Sequence, residues 1–293
     1  MIRPIRKYHR TPHLEGSRLQ KGDSDHDQVK YRDLVGRWIV VEEKVDGANS
    51  AFSFPDAEPM LQSRGHALNG RGDERQFSKM KAWFARHQET FFDRFYDRYI
   101  VYGENMQAKH SIFYDNLPHY FMEFDIYDKE TGKDLSTTAR RALIGDLPIV
   151  PVPILYAGPA PAKLEDLLNM IGPSTCQSSD RESWKNKLLE QARRSGHDVD
   201  RAIKETAMTD VMEGIYIKIE EGDETVGRLK WVNPWFLQKI LENDSHHLER
   251  IIVENCLAPD VDIMADNITW HVPGLNEIPS APEKVHETQE LNP

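Results

Sequence analysis

The stretch from Trp38 to Lys44 reads WIVVEEK, and it constrains the fold more than any other part of the chain. Four apolar residues, two of them β-branched valines, run straight into charge. That is the pattern of a buried strand whose end reaches solvent or a pocket. Asp46-Gly47-Ala48-Asn49 follows as a turn-rich link, and Ala51 to Phe54 reads as the return strand. Phe77 to Arg98 carries Phe77, Met80, Trp83, Phe84, Phe91 and Phe95 at helical spacing. Strands are expected at Ile100 to Glu104, Tyr120 to Tyr127 and Ile149 to Tyr156, and a hairpin at Gly214 to Glu220 and Val226 to Val232. Helices are expected at Ser136 to Gly145, with Ser136 as cap, and at Leu164 to Ile171, Arg181 to Ala207 and Pro234 to Cys256. Strands and helices mix without regular alternation. The fold class is therefore α+β, not a doubly wound parallel sheet.

The 293 residues suffice for one large domain with a small appendage. The expected division is a catalytic domain over 1–241 and a short helical extension with a disordered acidic tail over 242–293. The net charge of −11 is concentrated in that second part, which carries −9 and leaves the body near −2. Six basic side chains against Glu15 alone occupy the first 22 residues. A basic arm and a near-neutral body are compatible with a nucleic-acid groove. No apolar run approaches the ~20 residues of a membrane helix, and no apolar core follows the basic start. Cys176 and Cys256 have no metal-ligand spacing. A cytoplasmic protein without membrane association is the expectation.

Chemistry concentrates around Lys44-Val45-Asp46-Gly47-Ala48-Asn49. A lysine that ends a buried strand is held rigidly, and its amine becomes a nucleophile when burial beside other cations lowers its pKa. Taken alone, the same six residues equally describe a surface lysine before a hairpin turn. Further elements follow in order: Ser63-Arg64-Gly65, Tyr102-Gly103-Glu104, Phe121-Met122-Glu123-Phe124-Asp125-Ile126, Glu213-Gly214-Ile215-Tyr216-Ile217-Lys218 and Arg228-Leu229-Lys230.

That ordered set resembles the covalent nucleotidyltransferase superfamily of ATP-dependent DNA ligases, RNA ligases and mRNA capping enzymes. The resemblance covers about the first four-fifths of the chain. It implies an ATP-grasp-like ligase domain of antiparallel sheets flanked by helices. It also implies that Lys44 takes AMP from ATP, with magnesium or manganese held through Glu213. Lys218 and Lys230 would face the phosphates as catalytic cations. Glu43, Asn49, Arg64, Glu104, Phe121 and Arg228 would surround the nucleotide. Glu104 would take the ribose hydroxyl, and Phe121 would stack on adenine.

Asn49, where DNA ligases and capping enzymes carry arginine, and the FMEFDI segment resemble the nick-sealing RNA ligases. The 63 residues after Lys230 leave no room for the OB-fold of the other branches. The resemblance therefore implies joining of 5′-phosphate and 3′-hydroxyl ends in RNA or an RNA-containing nick, with an end-healing kinase or phosphatase as a partner. A capping guanylyltransferase and a non-catalytic RNA-end-binding module are the alternatives.

Overall fold

The computed structural model describes residues 5–19, 28–69, 72–234, 236, 252–267 and 277–283, without the side chains of 72 and 73. Two mostly antiparallel sheets share the chain. The first has the order β10-β3-β11-β12-β1-β2 and the second β5-β4-β6-β7-β8, with β9 paired to β7. Sheet one comprises β1 (His13–Leu14), β2 (Gln28–Val29), β3 (Trp38–Lys44), β10 (Ile154–Pro159), β11 (Gly214–Glu221) and β12 (Glu224–Val232). Sheet two comprises β4 (Ala48–Ser53), β5 (Met60–Ser63), β6 (Tyr99–Asn105), β7 (Phe121–Asp128) and β8 (Lys133–Asp134), with β9 at Val150–Pro151. The α+β expectation holds.

Two strand expectations are corrected. Ile149 to Tyr156 is not one strand but parts of two in different sheets, β9 paired to β7 and β10 paired to β3. Ala48–Ser53 is not the return partner of β3. It pairs with β5 and β6, while β3 pairs with β10 and β11. The chain leaves one sheet at Lys44 and enters the other at Ala48. The backbone there is tight: a Cβ on Gly47 would lie 2.7 Å from Asn105 O and 2.9 Å from Glu104 Cγ. Asp46 fixes the crossing. Its Oδ2 accepts from Ser111 N (2.7 Å) and Ile112 N (3.1 Å), and its own N–H donates to Tyr114 Oη (2.8 Å).

Helix α1 (Ser78–Phe95) lays Met80, Trp83, Phe84, Phe91 and Phe95 on the second sheet, against Phe52, Val101, Phe121 and Ile126. α2 (Thr137–Ile144) begins as expected, with Ser136 Oγ accepting from Ala139 N at 3.3 Å. α3 is Leu164–Leu168. The long helix expected to Ala207 is two helices, α4 (Arg181–Arg194) and α5 (Val199–Lys204). Asp198 starts the second by accepting from Arg201 N at 2.8 Å, so the cap wins over continuation.

The C-terminal expectations are also revised among the described residues. Residues 252–257 are extended, not helical; Glu254 bridges Ala108 and Leu257 bridges Leu117. Asn255 accepts from Tyr114 N (2.9 Å) and donates to Met106 O (2.8 Å). This segment belongs to the core of the body, where Val253 packs with Phe113, Trp184 and Leu188. In the stretch expected to be disordered, Pro282 O accepts from Gly222 N (3.0 Å). His246 and His247, and the helix expected over 237–251, lie outside the described residues. No described helix is long and apolar enough to cross a membrane.

Candidate active site

Strand alternation sorts the side chains that line the junction of the sheets. In β11, Ile215, Ile217 and Ile219 enter the apolar cluster behind sheet one, which leaves Tyr216, Lys218 and Glu220 on the face toward sheet two. In β12, Leu229 and Trp231 face the cluster and Arg228 and Lys230 face the junction. A cavity of about 740 Å³ opens there, with Lys44, Asn49, Arg64, Glu104, Phe124, Tyr216 and Lys230 among its lining residues.

Lys44 Nζ donates to Glu213 Oε2, and its side chain is 23% exposed. Burial works against its charge, but Glu213, Asp46 and Glu104 outweigh that and hold the amine above its ordinary value. The lowered value expected from neighbouring cations is not found, because the charged neighbours are carboxylates. They strain one another in turn. Burial pushes Glu104 up to about 8 and Glu213 to about 7, against the opposing field of Lys44. Glu213 Oε1 is buried without a hydrogen-bond partner among the described residues.

The remaining site residues divide. Asn49 and Glu104 are opposite each other on β4 and β6, both on the cavity wall. Arg64 is exposed at its rim. Glu43 reaches the lining, but its carboxylate is taken by Ser174 Oγ (2.5 Å) and by Thr175 N (3.1 Å) and Oγ1 (2.7 Å). Lys218 is fully buried: its ammonium binds Glu42 (2.9 Å) and Phe124 O. Arg228 is bound by Asp125 (2.7 Å) and Asp134 (3.1 Å), and braces the site from behind.

Phe121 is a correction. It is fully buried and stacks on Trp83, with centroids 5.1 Å apart and planes at 26°. Its ring occupies the space over Gly103, where a Cβ would meet it at 2.5 Å. Phe124, three residues later, does line the cavity. Three positions apart on a strand of period two, the two rings take opposite faces, Phe121 toward α1 and Phe124 toward the cavity, and the β6–β7 bulge leaves Phe124 without a register partner. Tyr8, Tyr216 and His110 also line the cavity; the sequence points to Tyr8 only as part of a basic, aromatic arm suited to phosphate contact, and to no role for Tyr216 or His110. The alternation of β11, which groups Tyr216 with Lys218, was the available signal for Tyr216.

A lysine ending a strand at the crossing of two sheets, between two perturbed carboxylates and beside an aromatic wall, is the arrangement that the ordered motifs imply. The family model described as RNA ligase matches residues 37–232. The chain belongs to the RNA ligase family. No curated protein matches it. Among solved structures, this RNA ligase family chain is similar to the Naegleria gruberi RNA ligase with PPi, at 19% identity and TM-score 0.49, covering 82% of this chain and 64% of that one. It is similar also to two lysine-to-alanine mutants of that ligase with ATP and Mn. One has 16% identity and TM-score 0.49, covering 81% of this chain and 63% of that one. The other has 17% identity and TM-score 0.46, covering 69% and 51%. The chain thus spans between half and two-thirds of the length of these solved chains.

Proposed function

We propose that the protein is an ATP-dependent RNA ligase that joins 5′-phosphate and 3′-hydroxyl ends. The observation that carries this reading is Lys44 at the cavity with its amine on Glu213. The Lys44 nitrogen attacks the α-phosphorus of ATP; an N–P bond forms, the bond to the bridging oxygen breaks, and pyrophosphate leaves. The AMP then passes to a 5′-phosphate, breaking the N–P bond. A 3′-hydroxyl attacks the adenylylated end, forms the phosphodiester and releases AMP.

Lys230 and Arg64 line the cavity and would meet phosphate oxygens there. Lys218 acts from behind the wall by holding the carbonyl of Phe124. Phe124 offers its face to the base and Glu104 its carboxyl to the ribose. Bound magnesium or manganese would neutralise phosphate charge. The orphaned Oε1 of Glu213 suits that ion. No three metal-ligating side chains converge among the described residues, so water and phosphate oxygens would complete its shell. Engaging Glu213 and Glu104 elsewhere removes the charges that keep the proton on Lys44.

The experiment is to incubate the protein with magnesium and either α-labelled ATP or α-labelled GTP. Covalent label from ATP is the expected result. Label from GTP alone would make the protein a capping-type guanylyltransferase, and no label from either would leave an end-binding module. An end-healing kinase or phosphatase is the class of partner that must supply 5′-phosphate and 3′-hydroxyl ends to such an enzyme.

A further inference from the structure

The segment before β1 crosses the seam between the two sheets. On the side of sheet two, Arg6 O accepts from Tyr102 Oη (3.0 Å) and Gln62 Nε2 (2.9 Å), and the Arg6 guanidinium lies 3.4 Å from the centre of the Tyr127 ring. On the side of sheet one, Pro12 O accepts from Lys230 N (3.0 Å), and His13 pairs in register with Lys230. Between these anchors, Tyr8, His9, Arg10 and Thr11 line the cavity.

Two of those residues hold Tyr216. Tyr8 Oη is 2.9 Å and Thr11 Oγ1 2.7 Å from Tyr216 Oη. Tyr8 Oη donates to Asp125 Oδ2 (2.7 Å), which Arg228 also engages (2.7 Å). With its donor committed to Asp125, Tyr8 is left to accept from Tyr216. The Tyr8 ring meets Phe124 edge-on, with centroids 5.1 Å apart and planes at 74°. One buried side chain therefore touches both Phe124 and Tyr216 on the cavity wall. Tyr216 is partly exposed, and its ring is oriented through its hydroxyl end.

We propose that the N-terminal arm is a positioning element of the base pocket: Tyr8 and Thr11 hold Tyr216, Tyr8 braces Phe124, and a purine base is gripped by both rings only while the arm is seated. This rests on the ATP-dependent reading above. Linkage makes the effect reciprocal: a nucleotide that binds the seated form tightens the arm.

The test uses the full chain. Tyr8→Phe with Thr11→Val removes the hydroxyl contacts and keeps both shapes. The expected result is a rise of about tenfold in KM for ATP in lysine adenylation, the scale of two neutral hydrogen bonds, with kcat little changed. Tyr216→Phe should raise KM similarly, and adding it to the double variant should raise KM no further, because all three changes cut one network. Trypsin cleavage after Lys7 and Arg10, both exposed, should slow when α,β-methylene-ATP binds the unaltered protein, and less so in the double variant. An unchanged KM, multiplying effects with Tyr216→Phe, or a fall in Tm alone would overturn the proposal. Absence of any label from ATP in the unaltered protein would instead overturn the ligase reading.

Discussion

Lys44 Nζ donates a hydrogen bond to Glu213 across the β3–β11 pair, beside the register partners Lys44 and Gly214. The same carboxylate that aims the amine also keeps it protonated. Lys44→Ala should abolish the covalent AMP adduct while the far-UV spectrum and melting transition stay near those of the parent. Glu213→Ala should lower adenylation by about 10²–10³, the usual loss for one preorganised charge. A folded Lys44→Ala protein that still takes label from ATP would remove Lys44 from its role.

Phe121 and Phe124 should separate stability from binding. Phe121→Ala empties the space between Trp83 and Gly103 and should cost about 3–5 kcal/mol, measured by denaturant unfolding. Phe124→Ala should raise KM for ATP with a much smaller stability loss. The reverse pattern would restore Phe121 as the base-stacking ring.

Glu104 at about 8 and Glu213 at about 7 keep protons in the folded chain that the unfolded chain has released by about pH 5. The folded state then binds more protons than the unfolded one, so these two groups make stability fall as pH rises from about 5 to 8. Glu104→Gln removes part of that slope. In the absence of nucleotide and metal its Tm should exceed the parent's at about pH 8.5 and match it near pH 5. Equal Tm differences at both pH values would show that Glu104 does not titrate this way. The variant should also bind ATP less well, a stabilising change made at the expense of the site.

Arg140 bridges Glu42 (2.8 Å) and Glu123 (2.5 Å) at a point where all three are buried. Arg140→Met leaves Glu123 without its ion-pair partner, while Glu42 keeps Lys218 (2.9 Å), and should destabilise by about 3–5 kcal/mol. Adding Glu123→Gln should recover part of the loss. A double variant no more stable than the single one would show that the pairing with Glu123 is not the source.

Sealing should require RNA on the 3′-hydroxyl side of a nick, where the 2′-hydroxyl distinguishes the sugars. Four nicked duplexes with RNA or DNA on each side, together with single-stranded ends, check this. Binding should also weaken steeply with salt, as phosphate contacts do. Equal or faster sealing of the all-DNA nick would move the protein toward the DNA ligase branch.

The sequence by itself determined the order and spacing of the reactive residues and the type of most elements. β11 is an example: isoleucines at 215, 217 and 219 fix which face is buried, and a period of two then sends Tyr216, Lys218 and Glu220 to the other. Strand pairing partners were not legible, because Val45-Asp46-Gly47 serves a hairpin as well as a crossing between sheets; the fit of Gly47 against Asn105 decided it. Nor was the choice of aromatic legible. A period of two puts Phe121 and Phe124 on opposite faces of β7, but which face meets α1 and which lines the cavity is set only by the packing of the two sheets. The charge state of Lys44 is not legible either, for a related reason. Its neighbours Glu213 and Glu104 are distant in sequence, and the field at an amine depends on distances that only the packed chain sets.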